Sequence, residues 1–262
     1  MHLRPSFAAA AMAVVLSATS AAQPAQHVVL VQPSAAEVPA NLLRISIEFA
    51  APVEGTVLPG LALLYADGKL VQEPFLQQEL WSPNGKILTV MMHPGRVKTG
   101  LTAREARGPI LAAGDNVVLV LEGRPIQRWI VGPADENGPA PSAWRLSPVS
   151  VGSKQALVVA LDRPIDGRDA DYLAIADSRN RRVDGRAQLK DGERVWTFTP
   201  RQPWRTGEYK LVARGTLEDP AGNRLGGHFE TAIDTPLESP VDAVIAFTVG
   251  SHPLRLVRSS PR

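Results

Sequence analysis

The same order of strand and turn signals occurs twice along this chain, and no other feature constrains the fold as much. The clearer copy includes residues 196–223, where two β-prone runs flank a corner containing Pro203 and Gly207, and a polar turn follows. A fainter copy lies earlier in the chain. The paired features keep their order in both copies, which favours duplication over chance. Two copies are too few for a solenoid, so the sequence predicts two similar domains.

The paired features are short apolar strands and the turns that close them. In residues 43–49 apolar and polar side chains alternate, which is typical of a strand with one buried face. Within this segment, residues 45–49 have the apolar run 156–161 as their counterpart. The other pairs are 52–55 with 164–167, 63–67 with 173–177, 88–94 with 195–200, 98–100 with 205–207, and 115–120 with 208–213.

Proline and glycine punctuate these runs, with 23 Pro and 21 Gly in 262 residues. Turn signals roughly every 8–12 residues, without a helical period between them, are typical of antiparallel sandwiches of immunoglobulin type. A parallel α/β sheet is disfavoured because no crossover helices are available between the strands. We therefore predict an all-β chain: two tandem immunoglobulin-like antiparallel β-sandwich domains after a signal peptide.

Turns and linkers place the domain boundaries. Residues 132–141 are rich in Pro and Gly and lack an apolar period, so we expect an exposed linker partly stiffened by its prolines. Within 101–113 a helical turn beginning at Thr102 and a plain loop both fit. The predicted units are a signal peptide (1–22), a first sandwich (27–131), the linker (132–141), a second sandwich (142–235), and a C-terminal segment (236–262) with one strand of open placement and a basic tail.

The N-terminal residues have the composition of a secretory signal. Arg4 gives a positive start, residues 7–16 are apolar and alanine-rich, and small residues follow up to Ala22. The apolar part is too short to span a bilayer, and no later run is long enough. Because the chain contains no cysteine, it has neither a lipid-anchored cysteine nor a disulfide. We predict an exported bacterial protein, periplasmic or secreted, that is cleaved near Ala22.

The charge balance limits the choice of partners. With 28 basic and 26 acidic residues the formal net charge is +2, and no polybasic run occurs. Nucleic acid and anionic membranes are therefore poor candidates. The densest basic spot, residues 179–182, falls at a predicted hairpin tip, where charge is ordinary and a weak anionic contact stays open. We expect an envelope protein or a glycan as partner, and the sequence leaves the oligomeric state open.

Four motifs of the second half match a known pattern. They are Leu161-Asp162-Arg163-Pro164, Phe198-Thr199-Pro200, Gly207-Glu208-Tyr209, and Asp-x-x-Gly-Asn from Asp219 to Asn223. With them the second half resembles the bacterial immunoglobulin-like domains of surface-layer and other exported proteins. The first half has Phe49-Ala50-Ala51-Pro52 but lacks the last two motifs. The resemblance implies spacer, adhesive or appended modules, and it carries over no catalytic, cofactor-binding or metal-binding residue.

A second resemblance concerns the first half only. Its start, from His27 through Pro33 to Val53, is similar to the small periplasmic copper-binding proteins, which share the sandwich fold. That resemblance implies copper ligation by an N-terminal histidine, and it requires cleavage after Gln26. The later Asp-x-His element of that family has no counterpart, because residues 121–131 contain no histidine. Periplasmic copper or other metal binding is the alternative function.

Several other side chains have both a chemical and a structural interpretation. Glu218 and Asp219 could begin a calcium loop, but two carboxylates are too few, so a turn at 219–223 is favoured. Core or covering roles are favoured for the tryptophans over a sugar-stacking face. The histidines lack the spacing of paired metal ligands. The tryptophans are Trp81, Trp129, Trp144, Trp196 and Trp204, and the histidines after the predicted signal peptide are His27, His93, His228 and His252.

No catalytic constellation stands out in the sequence. The metalloprotease motif His-Glu-x-x-His and the hydrolase motif Gly-x-Ser-x-Gly are both absent. Asp169 and Asp171 would point the same way on a strand, and a glycosidase would need such a pair in a cleft. We predict a non-enzymatic cell-envelope protein with a structural or binding role and no cofactor. An accessory carbohydrate-binding module is a further alternative.

Overall fold

The computed structural model describes residues 27–97, 102–225 and 240–250. Within these ranges fifteen strands form four sheets. Helix is limited there to α1 (Pro94–Val97), α2 (Thr102–Arg107) and three 3-10 segments, Leu58–Gly60, Pro141–Ala143 and Gly167–Tyr172. The predicted signal peptide at 1–22 lies outside the described residues, as do His228 and His252.

The first sandwich contains eight strands in two four-stranded sheets. One sheet has the order β1-β3-β6-β5 and the other β2-β8-β7-β4. All neighbours are antiparallel except β2 and β8, which run parallel. The strands are β1 (Val28–Gln32), β2 (Glu37–Pro39), β3 (Arg44–Phe49), β4 (Leu61–Tyr65), β5 (Phe75–Trp81), β6 (Ile87–Met92), β7 (Asn116–Leu121) and β8 (Arg124–Gly132).

The second sandwich repeats this arrangement with seven strands. One sheet has the order β12-β13-β10-β9 and the other β11-β14-β15, with antiparallel neighbours throughout. The strands are β9 (Arg145–Leu146), β10 (Leu157–Ala160), β11 (Leu173–Asp177), β12 (Gly185–Lys190), β13 (Val195–Pro200), β14 (Gly207–Ala213) and β15 (Ala243–Val249).

Both strand orders are those of an immunoglobulin sandwich. If the strands of each domain are lettered A to G, one sheet reads A-B-E-D and the other C-F-G, which is the constant-type arrangement. β2 is an additional strand beside strand G of the first domain. The predicted fold class, two tandem immunoglobulin-like sandwiches, is therefore confirmed.

Each sandwich has its own core between its two sheets. The first core is mainly aliphatic, because the inward positions of its strands carry residues such as Ile45, Ile47, Leu63 and Leu119. The second core is built around aromatic rings. Trp196 stacks on Phe198 with ring centroids 5.7 Å apart, and further contacts at 5.3–6.2 Å link Phe198, Trp204, Tyr209 and Phe247.

The predicted Gly-x-Tyr motif forms a tyrosine corner, a feature of immunoglobulin domains. The Tyr209 hydroxyl donates to the Arg205 carbonyl at 3.2 Å and accepts from the Arg205 N–H at 3.2 Å. This pair of bonds fixes the chain between β13 and β14 over the end of the core. The motif quoted for the resemblance therefore has a structural role.

Two questions that the sequence left open are answered by the structure. The 101–113 insertion contains a helix, α2, followed by Gly108 at a positive φ of 74°. It packs on the buried Arg96, which donates to four carbonyls, those of Gln72, Glu73, Gly108 and Pro109. The C-terminal strand β15 pairs with β14 from Gly207↔Val249 to Ala213↔Ala243, so it completes the second sandwich.

Candidate functional site

The most densely bonded polar region of the described residues is the junction between the two sandwiches. The second domain contributes the loop between β10 and β11, the turn between β12 and β13, and residues 217–223 after β14. The B–C and F–G connections of an immunoglobulin sandwich lie at one end, and that end here faces β3 and the segment after β1. Leu43 N–H donates to the Pro220 carbonyl at 2.9 Å, so backbone as well as side chains cross the junction.

Arg44, at the start of β3, is the central cation of this junction. Its Nε lies 2.9 Å from a carboxylate oxygen of Asp166, and its Nη2 contacts Glu218. Glu218 also pairs with Arg224, and Asp166 with Arg168, both at 3.2 Å. Burial lowers the pKa of Arg44, and the charge of Asp166 opposes that effect. The result is a chain of alternating positive and negative charges that joins strand β3 of the first domain to two loops of the second domain.

Glu193 forms a second connection, on the turn between β12 and β13. Its carboxylate accepts from the Ser34 N–H at 2.9 Å, the Ser34 hydroxyl at 2.7 Å and the Gln32 amide at 3.2 Å. The backbones come close here, because a Cβ added at Gly192 would lie 2.8 Å from that of Ala35. Gly192 has a φ of 63°, so both space and backbone conformation favour glycine at this position.

The linker takes part in the junction. The Asp135 carbonyl accepts from the side-chain amides of Asn41 and Asn223, each at 2.8 Å, and its carboxylate pairs with Arg163 at 2.8 Å. Pro133 and Ala134 are exposed, as expected of a linker, but Gly132 and Pro139 are buried. The connector is thus held by both domains, which the expectation of an exposed linker did not foresee.

The loop from Asp219 to Asn223 is a turn, and it is buried in the junction. Asp219 Oδ1 accepts from the N–H groups of Ala221 and Asn223 at 2.9 and 2.8 Å, and Oδ2 accepts from the Asn223 amide at 2.8 Å. Both carboxylate oxygens are therefore occupied by donors of the loop itself. Burial raises the pKa of Asp219 to about 6, although its hydrogen bonds with Asn223 oppose the shift. The turn interpretation is confirmed.

Asp169 is the most strongly perturbed acid at this junction. Burial raises its pKa to about 7, the nearby charge of Asp166 adds to the shift, and Arg44 and Arg168 oppose it. Its Oδ2 accepts from the Glu218 N–H at 2.8 Å. Asp169 and Asp171 do not share a strand, because they lie in the 3-10 segment Gly167–Tyr172, and Asp171 is exposed. The expectation that they point the same way on a strand is wrong, because the B–C connection coils before β11 begins.

The cleft at the junction is small. The space open to the centre of a water molecule is about 10 Å³, and it is lined by Gln32, Arg44, Ser46 and Asp166 among others. Small-molecule sites usually occupy roughly 300–1,000 Å³, whereas about 10–15 Å³ on this measure holds one water. The cleft therefore suits ordered water better than a ligand. Over the described part of the chain, no cluster of three or more His, Cys, Asp or Glu side chains could hold a metal.

The two described histidines lie at opposite ends of one sheet. His27 is beside the end of β3, where its carbonyl accepts from Ala50 N–H at 3.0 Å. His93 follows β6 near the start of β3, where Met92 N–H donates to the Leu43 carbonyl at 2.8 Å. The length of β3 separates them by roughly 17 Å, so they cannot bind one metal ion.

The tryptophans and the basic hairpin have structural roles. Trp129, Trp144, Trp196 and Trp204 are buried, and Trp81 is half-buried against Phe49, which confirms the core interpretation over a sugar-stacking face. At the hairpin after β11, Asp177 accepts from the Arg181 N–H at 3.0 Å and pairs with the Arg181 guanidinium at 2.7 Å, and these hydrogen bonds lower the pKa of Asp177. The charge at that tip is partly neutralised within the hairpin.

Sequence reasoning missed the residues that form the junction. Arg44 occupies an outward position of an alternating strand, the pattern of a solvent-exposed face. Asp166 was part of a turn signal and Asp135 was part of the linker, whereas Glu193 belonged to none of the predicted features. The one available signal was the Asp-x-x-Gly-Asn loop, present in the second copy and absent from the first, because a difference between duplicated domains marks where they are used differently.

Comparisons with known proteins identify no family. No protein-family model and no curated protein matches the chain. Among solved structures, a biofilm-associated protein BSP domain matches with 11% identity and a TM-score of 0.25, over 86% of this chain and 29% of that one. The L,D-transpeptidase from Mycobacterium smegmatis matches with 13% identity and a TM-score of 0.29, over 86% and 74%.

A third similar structure is SGBP-B from a complex xyloglucan utilization locus in Bacteroides uniformis. It has 14% identity and a TM-score of 0.26, over 79% of this chain and 49% of that one. The chain thus spans less than half of two of these three structures. Likenesses at this level carry no argument about function, and the immunoglobulin-like fold rests on the strand order described above. None of the described helices has the length and apolar character to cross a membrane.

Proposed function

We propose that this chain is a non-enzymatic, exported module of the cell envelope in which two immunoglobulin-like sandwiches act as one rigid unit. The junction carries the proposal. Backbone hydrogen bonds, the Arg44 ion pairs, the Glu193 contacts and the linker all join the two domains at the same place. A flexible pair of domains has no need for such a network, whereas a spacer or a scaffold for binding does.

The position of the junction also limits where a partner can bind. The end of an immunoglobulin sandwich that carries the B–C and F–G loops is a common ligand-binding end. In the second domain that end is occupied by the first domain. Binding is therefore assigned to the sheet faces and to the free end of the first sandwich. This role agrees with the spacer and adhesive modules that the surface-layer resemblance implies.

Rigidity can be measured directly because the chain contains no cysteine. Spin labels on Gln77→Cys in the first domain and Glu208→Cys in the second, both at exposed positions, would report one interdomain distance. We expect a single narrow distribution by pulsed electron paramagnetic resonance. A broad distribution, like that of domains on a free linker, would overturn the rigid unit.

Export is tested by mass spectrometry of the protein recovered from the envelope and the culture medium. We expect a mature N-terminus close to residue 23. A chain that begins at His27 would instead favour the copper alternative, and an intact N-terminus in the cytoplasm would contradict export. The proposal that the protein is not an enzyme is contradicted if the purified protein has a hydrolytic activity that the substitution Asp169→Asn abolishes.

A further inference from the structure

The outward face of the sheet β12-β13-β10-β9 combines three cations with small neutral side chains. Burial alternates along β12, so Arg186, Gln188 and Lys190 are exposed while Ala187 and Leu189 turn toward the core. On β10, Val158 and Ala160 are exposed in the same way. Arg145 is exposed on β9. This surface, defined by Arg145, Val158, Ala160, Arg186, Gln188 and Lys190, is called the basic face below.

The strand register fixes the spacing of its charges. Arg145, Ala160, Val195 and Lys190 form one row across the four strands, and residues opposite each other on neighbouring strands lie on the same face. Three strand gaps place Arg145 and Lys190 about 14 Å apart, and four residues along β12 place Arg186 and Lys190 about 13 Å apart. These separations are too large for one small anion to bridge.

The charges of the basic face are not neutralised locally. The four strands carry no carboxylate, and the nearest acids in sequence, Asp184 and Asp191, lie beyond the two ends of β12. Arg145, Arg186 and Lys190 make no ion pair or side-chain hydrogen bond with any residue that the structure describes. By contrast, Arg163 and Arg181 are both paired with aspartates.

We propose that the basic face binds an anionic polysaccharide; this inference rests on the proposed role as an envelope module. A charged linear polymer can contact all three cations at once, and Gln188 and Thr199 offer hydrogen bonds to sugar hydroxyls between them. Single-stranded nucleic acid would call for aromatic side chains on which bases stack, and the strands place none on this face. A membrane surface would call for large apolar side chains to insert, and Val158 is too short for that.

The test uses the full mature chain and polygalacturonate as probe, with uncharged dextran for comparison. We expect the wild type to bind polygalacturonate at low ionic strength, to release it as salt increases, and to ignore dextran. The combined variant Arg145→Gln, Arg186→Gln, Lys190→Gln should bind about tenfold more weakly or worse. Replacing Arg145 and Arg186 by Lys keeps the charge and should keep most of the binding.

The matched control is Arg124→Gln, Arg128→Gln, Arg182→Gln, which removes the same charge from exposed sites elsewhere. It should stay within about twofold of the wild type, because charges far apart on a surface are screened from one another. Equal losses in both variants, no preference over dextran, or tighter binding of phosphatidylglycerol vesicles would overturn the proposal. The interdomain distance distribution of the combined variant Arg145→Gln, Arg186→Gln, Lys190→Gln distinguishes polysaccharide binding from the rigid two-domain module. If this distribution stays narrow, the rigid module stands whatever the binding result.

Discussion

Asp169 is a buried carboxyl group whose ionisation the fold disfavours, which makes the stability of the protein depend on pH. In the unfolded chain its pKa is near the ordinary 3.8, whereas in the folded chain it is about 7. Between these values the folded state holds the proton and the unfolded state does not. The free energy of unfolding therefore falls as the pH rises through this window, by up to roughly 4 kcal/mol for this group.

The variant Asp169→Asn isolates this effect. The amide oxygen can still accept from Glu218 N–H, and the side chain stays neutral at every pH. Urea unfolding at pH 5 and pH 8 should show a smaller loss of stability with pH in the variant than in the wild type. Asp219, whose pKa is raised to about 6, still makes the free energy of unfolding decrease with rising pH in both proteins. Parallel pH profiles for the two proteins would contradict a raised pKa at Asp169.

Trp196 shows how one residue can decide between core and surface roles. The ring is fully buried, stacks on Phe198, and donates from Nε1 to the Ala170 carbonyl at 2.9 Å. We expect Trp196→Ala to lower the free energy of unfolding by roughly 3–5 kcal/mol, because it leaves both a cavity and an unpaired carbonyl. Thermal and denaturant unfolding measure the loss. Leu70→Ala, at an exposed position, is the control and should change stability little; an unchanged melting temperature for Trp196→Ala would show that the ring is not in the core.

At the scale of elements, most strands could be predicted because each has one buried face and a strong turn signal after it. The predicted runs at 173–177 and 195–200 coincide with β11 and β13, and those at 63–67 and 88–94 overlap β4 and β6. β12 was missed. It is an edge strand whose outward positions carry Arg186, Gln188 and Lys190, and whose inward positions are only Ala187 and Leu189, so its apolar alternation is weak.

The tyrosine corner is an element whose contribution can be separated from its packing. Tyr209→Phe keeps the ring contacts with Trp204 and Phe247 but removes the two hydrogen bonds to Arg205. We expect a loss of about 1–2 kcal/mol in the free energy of unfolding, as for other hydrogen bonds that leave a partly buried group unpaired. Chemical denaturation measures it. Tyr65→Phe, on β4 of the first sandwich, gives the same chemical change outside such a corner, and an equal loss there would argue against a specific role for Tyr209.

At the scale of the whole molecule, the sequence predicted two domains but not how they are joined. Fold class follows from local alternation and turns, which a single sequence contains. A junction depends on which polar residues of distant segments meet, and a charged residue on an outward position looks the same whether it faces water or another domain. Arg44 and Glu193 are such residues, and their partners are 122–174 and 159–161 positions away.

The last prediction concerns the Arg44 ion pairs as the connection that makes the molecule one unit. Arg44 is 11% exposed and Asp166 only 3%, so Arg44→Met leaves a buried carboxylate without its main counter-ion. Breaking a buried pair in this way costs roughly 3–5 kcal/mol. Because that cost falls on the junction and leaves each core intact, we expect unfolding to change from one transition to two, and the interdomain distance distribution to broaden.

Arg224→Met is the matched control for Arg44→Met. It also removes a partner of Glu218, but the Arg224 side chain is 51% exposed. We therefore expect the free energy of unfolding to change by less than about 1 kcal/mol and the interdomain distance distribution to stay unchanged. A narrow distribution in Arg44→Met would mean that the backbone contacts and Glu193 hold the domains together without these ion pairs.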